Sequence, residues 1–146
     1  MKRLIIITSV VILVCLSFNA CKQPKTFSEK LIEYCEKNPL GFCFPAIVRF
    51  DWDGVCIVQD NEKSVEDIKT EYKLIGHLAE TLSSEDEYRV IFSKDQNIIE
   101  EYILNKNEIL FQEFAGEIFY PQTQYGVQWK ENENGSRLLY ITVGSV

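Results

Sequence analysis

The sequence predicts an α+β fold: an N-terminal helix, a strand and a helix, followed by an antiparallel sheet of two hairpins. Three observations carry that reading. A helix-start signal at Thr26 and another at Ser64 each precede apolar residues at helical spacing. The second half of the chain instead alternates, with Tyr88, Val90 and Phe92 in one run and Ile98, Glu100, Tyr102 and Leu104 in the next. Helices early and strands late are the pattern of an α+β domain. With 146 residues, the chain is long enough for one domain and too short for two.

The chain begins with Lys2 and Arg3 and then an apolar run from Leu4 to Leu16. That run is shorter than the roughly 20 residues a spanning helix needs. With the break that follows, it reads as a secretion signal over residues 1–20. Ser17-Phe18-Asn19-Ala20-Cys21 is similar to a lipobox: Ala20 offers the small residue before the cut, and Cys21 the thiol that takes the lipid. Phe18 departs from the pattern, where an aliphatic residue is usual. Simple cleavage after Ala20 is the alternative, and Phe18 fits that poorly too. Residues 21–25 then form a short lipidated tether, and 26–146 a single globular envelope domain. The membrane, reached through lipid at Cys21, is the first expected partner. Lys22 after that cysteine, rather than Asp, points to the outer membrane if the cell has one.

Loss of Lys2 and Arg3 leaves 13 basic residues against 22 acidic ones, a net charge of −9. Nucleic-acid binding, whose electrostatic footprint is basic, is disfavoured. A basic protein partner is favoured, although solubility alone also explains an acidic surface.

The domain's elements follow in order. Thr26 with Glu29 is a capping box, and Phe27, Leu31, Tyr34 and Cys35 then share one helical face. Asn38-Pro39 ends this helix, because the residue before a proline avoids helical geometry. Ala46 to Phe50 and Gly54 to Val58 are strand material, interrupted by Asp51-Trp52-Asp53. Asp60-Asn61-Glu62-Lys63 is a polar turn. Ser64 with Asp67 opens the second helix, which carries Val65, Ile68, Tyr72 and Ile75 and is expected to end at Gly76. Leu78 and Leu82 suggest a further short helical turn. Lys94-Asp95-Gln96-Asn97 is a turn between the first two alternating runs. Asn134-Gly135 is a hairpin signal between Val127-Gln128-Trp129 and Arg137 to Val143, because both residues tolerate positive φ. Residues 105–124 are expected to be less regular.

At Phe50-Asp51-Trp52-Asp53-Gly54-Val55, the helix after Ser64, and Val90-Ile91-Phe92-Ser93-Lys94-Asp95, the chain resembles a loose group of small bacterial lipoproteins. They carry Trp-Asp beside an apolar strand, then a helix and a strand–turn–strand. The resemblance implies lipidation and this order of elements. It implies no activity and transfers no site residue.

Three cysteines remain besides Cys21. In an oxidising space one disulfide is expected. Cys35–Cys43, closing a short loop with Pro39 and Gly41, is preferred over Cys43–Cys56, because Cys56 lies in the apolar run Val55 to Val58.

Asp51 and Asp53, two apart on a strand, would share a face and could couple for acid–base work or hold a cation. The plainer reading is that they hydrogen-bond backbone around Trp52. His77 stands without companions at metal-ligand spacing, and a Cys56–His77 nucleophile pair would need a reactive thiol in apolar surroundings. No phosphate loop or nucleophile elbow is present, so no metal and no cofactor are expected. Aromatic residues gather between Phe111 and Trp129, with Phe114, Phe119, Tyr120 and Tyr125 between them. Such rings pack a core or face a partner, and Tyr120 and Tyr125, in a stretch with Gly116, Pro121 and Gly126, are the candidates for a binding surface. Together these features favour a non-catalytic, lipid-anchored binding protein of the inhibitor or immunity type. An enzyme using Asp51 and Asp53 and a carrier of an apolar ligand are the alternatives.

Overall fold

A computed structural model describes residues 24–60, 62–80, 82–112, 117–132 and 134–144. The expected secretion signal and Cys21 lie outside them. The described chain is α+β, with two helices and two sheets. Helix α1 (Phe27–Lys37) is followed by a 3-10 turn (Phe44–Ala46), strand β1 (Gly54–Val58) and helix α2 (Val65–Tyr72). Strands β2 (Glu87–Lys94), β3 (Asn97–Asn105), β4 (Ile109–Phe111), β5 (Ile118–Phe119), β6 (Tyr125–Glu131) and β7 (Arg137–Val143) complete it. None of the described helices is long and apolar enough to cross a membrane.

The expected single antiparallel sheet is replaced by two sheets. One is antiparallel, in the order β3-β2-β1-β5. The other is mixed, in the order β4-β7-β6, with β4 running parallel to β7. Both β4 and β5 come from the stretch read as irregular. They are two or three residues long, too short to show an alternation that sequence periodicity could register.

Every residue of β1 is buried because the first sheet is covered on both faces. Val55, Ile57, Val90 and Phe92 face α1 and the second sheet, in a core that includes Leu31, Phe44, Phe111 and Ile141. Cys56, Val58 and Ile91 face the opposite way, against Ile68 and Tyr72 of α2 and against Leu74 and Leu78. Aromatic rings dominate the first core: Phe44 meets Phe92 and Tyr125 edge-on at 5.1 and 4.9 Å, favourable geometry for ring quadrupoles. The two sheets are joined where Tyr88 Oη donates to the Ile109 carbonyl at 3.0 Å.

Helix α1 starts as its sequence predicts. Glu29 N–H donates to Thr26 Oγ1 and the Thr26 N–H donates to the Glu29 carboxylate. Lys25 and Lys37 flank Glu33 and hold its carboxyl down at about 2. Helix α2 ends at Tyr72, earlier than the expected Gly76, because Lys73 adopts a left-handed C-cap whose N–H returns to Lys69 and Thr70 carbonyls. Ala46 to Phe50 forms no strand. Pro45 at the start of the 3-10 turn commits that segment to a tight bend, which drops Phe44 into the core. Leu78 and Leu82 lie outside any helix, and Leu78 is buried beneath the sheet.

The Cys35–Cys43 bridge expected from sequence is not formed, nor is Cys43–Cys56; all three thiols are free. Cys35 points from α1 into the first core, Cys43 is half-exposed at the start of the 3-10 turn, and Cys56 lies on the far face of the sheet. Burial in apolar surroundings pushes the Cys35 and Cys56 thiols up to about 12. A Cys56–His77 nucleophile pair therefore lacks a reactive thiol, and His77 is exposed.

Candidate functional site

The β2–β3 connection organises the most site-like part of the surface. Lys94 pairs with Asn97, leaving Asp95 and Gln96 as a two-residue turn with φ of 50° and 67°. Positive φ at both positions gives the twist of a type I′ hairpin, a geometry usually filled by Asn-Gly. Here neither residue is glycine, so backbone strain is held by surrounding bonds. Asp95 N–H donates to Asp53 Oδ2 at 2.8 Å. The Gln96 carbonyl accepts from Ile75 N–H at 2.8 Å. Asn97 Nδ2 donates to the Asp95 carbonyl at 3.0 Å.

Asp51 and Asp53 are not on a strand. They flank Trp52 in the loop before β1. Trp52 is buried against Phe44 and Phe92, with its ring 5.1 Å from that of Phe92, and this insertion turns both aspartates to the surface. The two do not act as one face of a strand, as their spacing suggested. Asp51 pairs with Lys94, whose ammonium it holds above its usual range, while Asp53 takes the Asp95 amide. Asp53 thus bonds backbone of the β2–β3 turn, a different partner from the backbone around Trp52 that its place suggested. Asp53 N–H itself donates to the Ser93 carbonyl at 2.9 Å, extending the β1–β2 ladder by one residue.

Asp53 and Asp95 line a cleft of about 290 Å³ together with Ser93, Leu74, Ile118 and Tyr120. Gly54 permits this closeness: a Cβ there would stand 3.0 Å from Ser93 Oγ and 3.1 Å from Ile118 Cγ2. Strand β5 alternates, with Phe119 buried and Ile118 and Tyr120 outward. Tyr120 is 54% exposed. A turn fixes it, with its N–H donating to Thr123 Oγ1 at 3.2 Å and its carbonyl accepting from Thr123 N–H at 2.9 Å. A cleft lined by two carboxylates and a phenol ring suits a guanidinium or ammonium group, which can take charge-assisted hydrogen bonds and lie over a ring.

The structure thus brings Asp53 and Tyr120 to one cleft and leaves Asp51 outside its lining, paired with Lys94. It does not bring Tyr125 there. Tyr125, expected at a binding surface, is buried at 2% exposure and stacks on Phe42 at 5.0 Å. It opens β6 on the inward side of the sheet, and Phe42 pairs with it through two backbone bonds. Phe111 and Phe119 are likewise core, Trp129 is half-buried beneath Arg137, and Phe114 lies outside the described residues. Cys35 and Cys43 take no part in the cleft. Asp95 and Ile118 were missed. Asp95 had a signal, its place in a turn, but its backbone N–H reaches Asp53 only through the long-range pairing of β1 with β2. Ile118 belongs to a strand too short to read.

Among the described residues, no three of the His, Cys, Asp and Glu side chains converge as a metal site would require. Buried Arg89 pairs with the partly buried Glu101, which also accepts from Ala79 N–H at 2.8 Å. Through Ala79 it ties the segment after α2 to the sheet. No family model, no curated protein and no solved structure matches this chain.

Proposed function

We propose that this chain is a lipid-anchored cell-envelope protein that works by binding, of the inhibitor or immunity type. Its partner is a basic protein that presents an Arg or Lys side chain to the cleft between Asp53, Asp95 and Tyr120. The observation that carries the reading is the joining of two carboxylates, an exposed tyrosine and a strained non-glycine turn in one cleft. Strain at such positions concentrates at functional sites, because only a fixed surround maintains it. The acidic balance of the chain favours a basic partner by steering. The anchor rests on the lipobox-like Ser17 to Cys21, with the outer membrane as the location if the cell has one.

The alternative, an enzyme using Asp51 and Asp53, finds less support, because each carboxylate is engaged with the β2–β3 turn by its own bond. In-cell crosslinking of the full-length, C-terminally tagged chain tests the proposal. The wild-type chain should yield one dominant basic protein, and Tyr120→Ala and Asp95→Asn should lose it while leaving the amount of folded protein unchanged. Recovery of the same species from both variants would remove the cleft from the binding role. The intact mass of the membrane-purified chain reads the lipid at Cys21 independently.

A further inference from the structure

A second cleft, on the α1 side of the molecule, has the opposite electrostatic character. About 380 Å³ in volume, it lies between α1 and the segment after the 3-10 turn. Phe27 and Tyr102 stack at 4.2 Å in its wall, and Ile47 and Phe50 extend the apolar lining. Lys30 and Arg49 stand on it, both exposed, and neither has an ion pair among the described residues. A shallower hollow of about 230 Å³ continues the cleft along α1 past Tyr34 to Lys37. Glu33 borders that hollow but is already neutralised by Lys25 and Lys37. Glu29 is tied into the helix cap. Lys30 and Arg49 thus add two positive charges to a face that also carries Glu29 and, beside Tyr102, Glu100, in a chain whose net charge from Cys21 onward is −9.

We infer that this cleft binds the headgroup of an anionic phospholipid and seats the α1 face on the membrane surface. The inference rests on the reading that Cys21 anchors the chain. Two observations choose this occupant. Cys21 precedes Phe27 by six residues, which span at most about 20 Å when extended, so an anchored chain holds this cleft within reach of the headgroups. The charge is local as well as positive. Screening limits interactions between exposed charges to about 10 Å, so a membrane at this face meets Lys30 and Arg49 together with the capping Glu29 and the paired Glu33, and little of the more distant acidic surface. Lysine and arginine supply donors for a phosphodiester, and the partly exposed Ile47 and Phe50 on the cleft offer apolar contact to the upper acyl region. With this face on the membrane, the acidic domain gains an orientation.

The test uses the full chain purified from membranes, with its intact mass recorded, in vesicles of phosphatidylcholine alone or with an equal part of phosphatidylglycerol. Amide hydrogen exchange is followed over residues 27–50. Exchange at Ile47 and Val48 should slow several-fold on the anionic vesicles, and added salt or the double variant Lys30→Gln with Arg49→Gln should abolish the difference. Exchange of β2 in the same samples shows that the variant is folded. Equal exchange on both vesicle types overturns the inference. Protection that grows with protein concentration in vesicles of either kind also overturns it, giving the cleft to a second copy of the chain. If the mass shows no lipid, the anchoring reading has failed and the cleft is judged by flotation with the same vesicles. Salt-sensitive flotation with the anionic vesicles alone, reduced about 25-fold by the double variant at roughly fivefold per basic residue, upholds the headgroup assignment, and no flotation refutes it.

Discussion

Tyr88 and Tyr125 are both buried in the aromatic core, yet their hydroxyls differ. Tyr88 Oη donates to the Ile109 carbonyl, while Tyr125 Oη has no hydrogen-bond partner among the described residues. Burial raises both phenols well above their usual range. Removing a partnered hydroxyl leaves a buried carbonyl unsatisfied, whereas removing an orphan relieves a desolvation cost. Tyr88→Phe should therefore lose about 1 kcal/mol of stability and Tyr125→Phe should gain about 1 kcal/mol, as read by urea unfolding. A loss of equal size in both would show that Tyr125 has a partner after all. The cysteines give a second test at this scale. With Cys35 and Cys56 buried and their thiols pushed up to about 12, a thiol reagent at neutral pH should modify half-exposed Cys43 and spare the other two until the protein unfolds. Protection of Cys35 and Cys43 that is lost on reduction would instead mean that the bridge forms.

At the scale of elements, the β2–β3 turn stores strain that a glycine would release. Gln96 has a φ of 67°, and a left-handed conformation costs a non-glycine residue about 1–2 kcal/mol. Gln96→Gly should therefore stabilise the fold by about 1 kcal/mol in urea unfolding; no gain would mean that the strain is illusory. Gly41 is the reverse case. Its φ is 146°, and a Cβ there would stand 2.3 Å from the Tyr125 carbonyl oxygen, so Gly41→Ala should cost about 3 kcal/mol and detach the Phe42–Tyr125 bridge. Elements governed by local chemistry were legible in the sequence: the Thr26 capping box, the Ser64 cap and the alternation of β2 all appear where their residues place them. Where tertiary contacts decide, the sequence was silent. A bulge at Phe92/Ser93 shifts the β2–β3 register, so Ile98 packs against the α2 side while Tyr102, on the same apparent alternation, packs on the other. Asn134-Gly135 does lie between β6 and β7, with Gly135 at a φ of 75°. Asn132 organises that connection, accepting from Asn134 and Ser136 N–H groups.

For the whole molecule, the first sheet separates two chemically different surfaces. The Asp53–Asp95–Tyr120 cleft lies at the β2–β3 turn, and the Lys30–Arg49 cleft lies along α1. Half of the first site was visible in sequence as Asp53 and Tyr120; their meeting was not, because 66 residues separate them and β5, which brings Tyr120 to β1, has two residues. The central claim is that this cleft is where a basic partner binds, and the most direct measurement is photo-crosslinking in the living cell from a reactive side chain placed at position 120. A control with the same side chain at exposed position 130, on β6 of the other sheet, reads non-specific proximity. One dominant basic protein captured from position 120, absent from position 130 and lost with Asp95→Asn, is the predicted result. No specific species from position 120, or the same species from both positions, would contradict it.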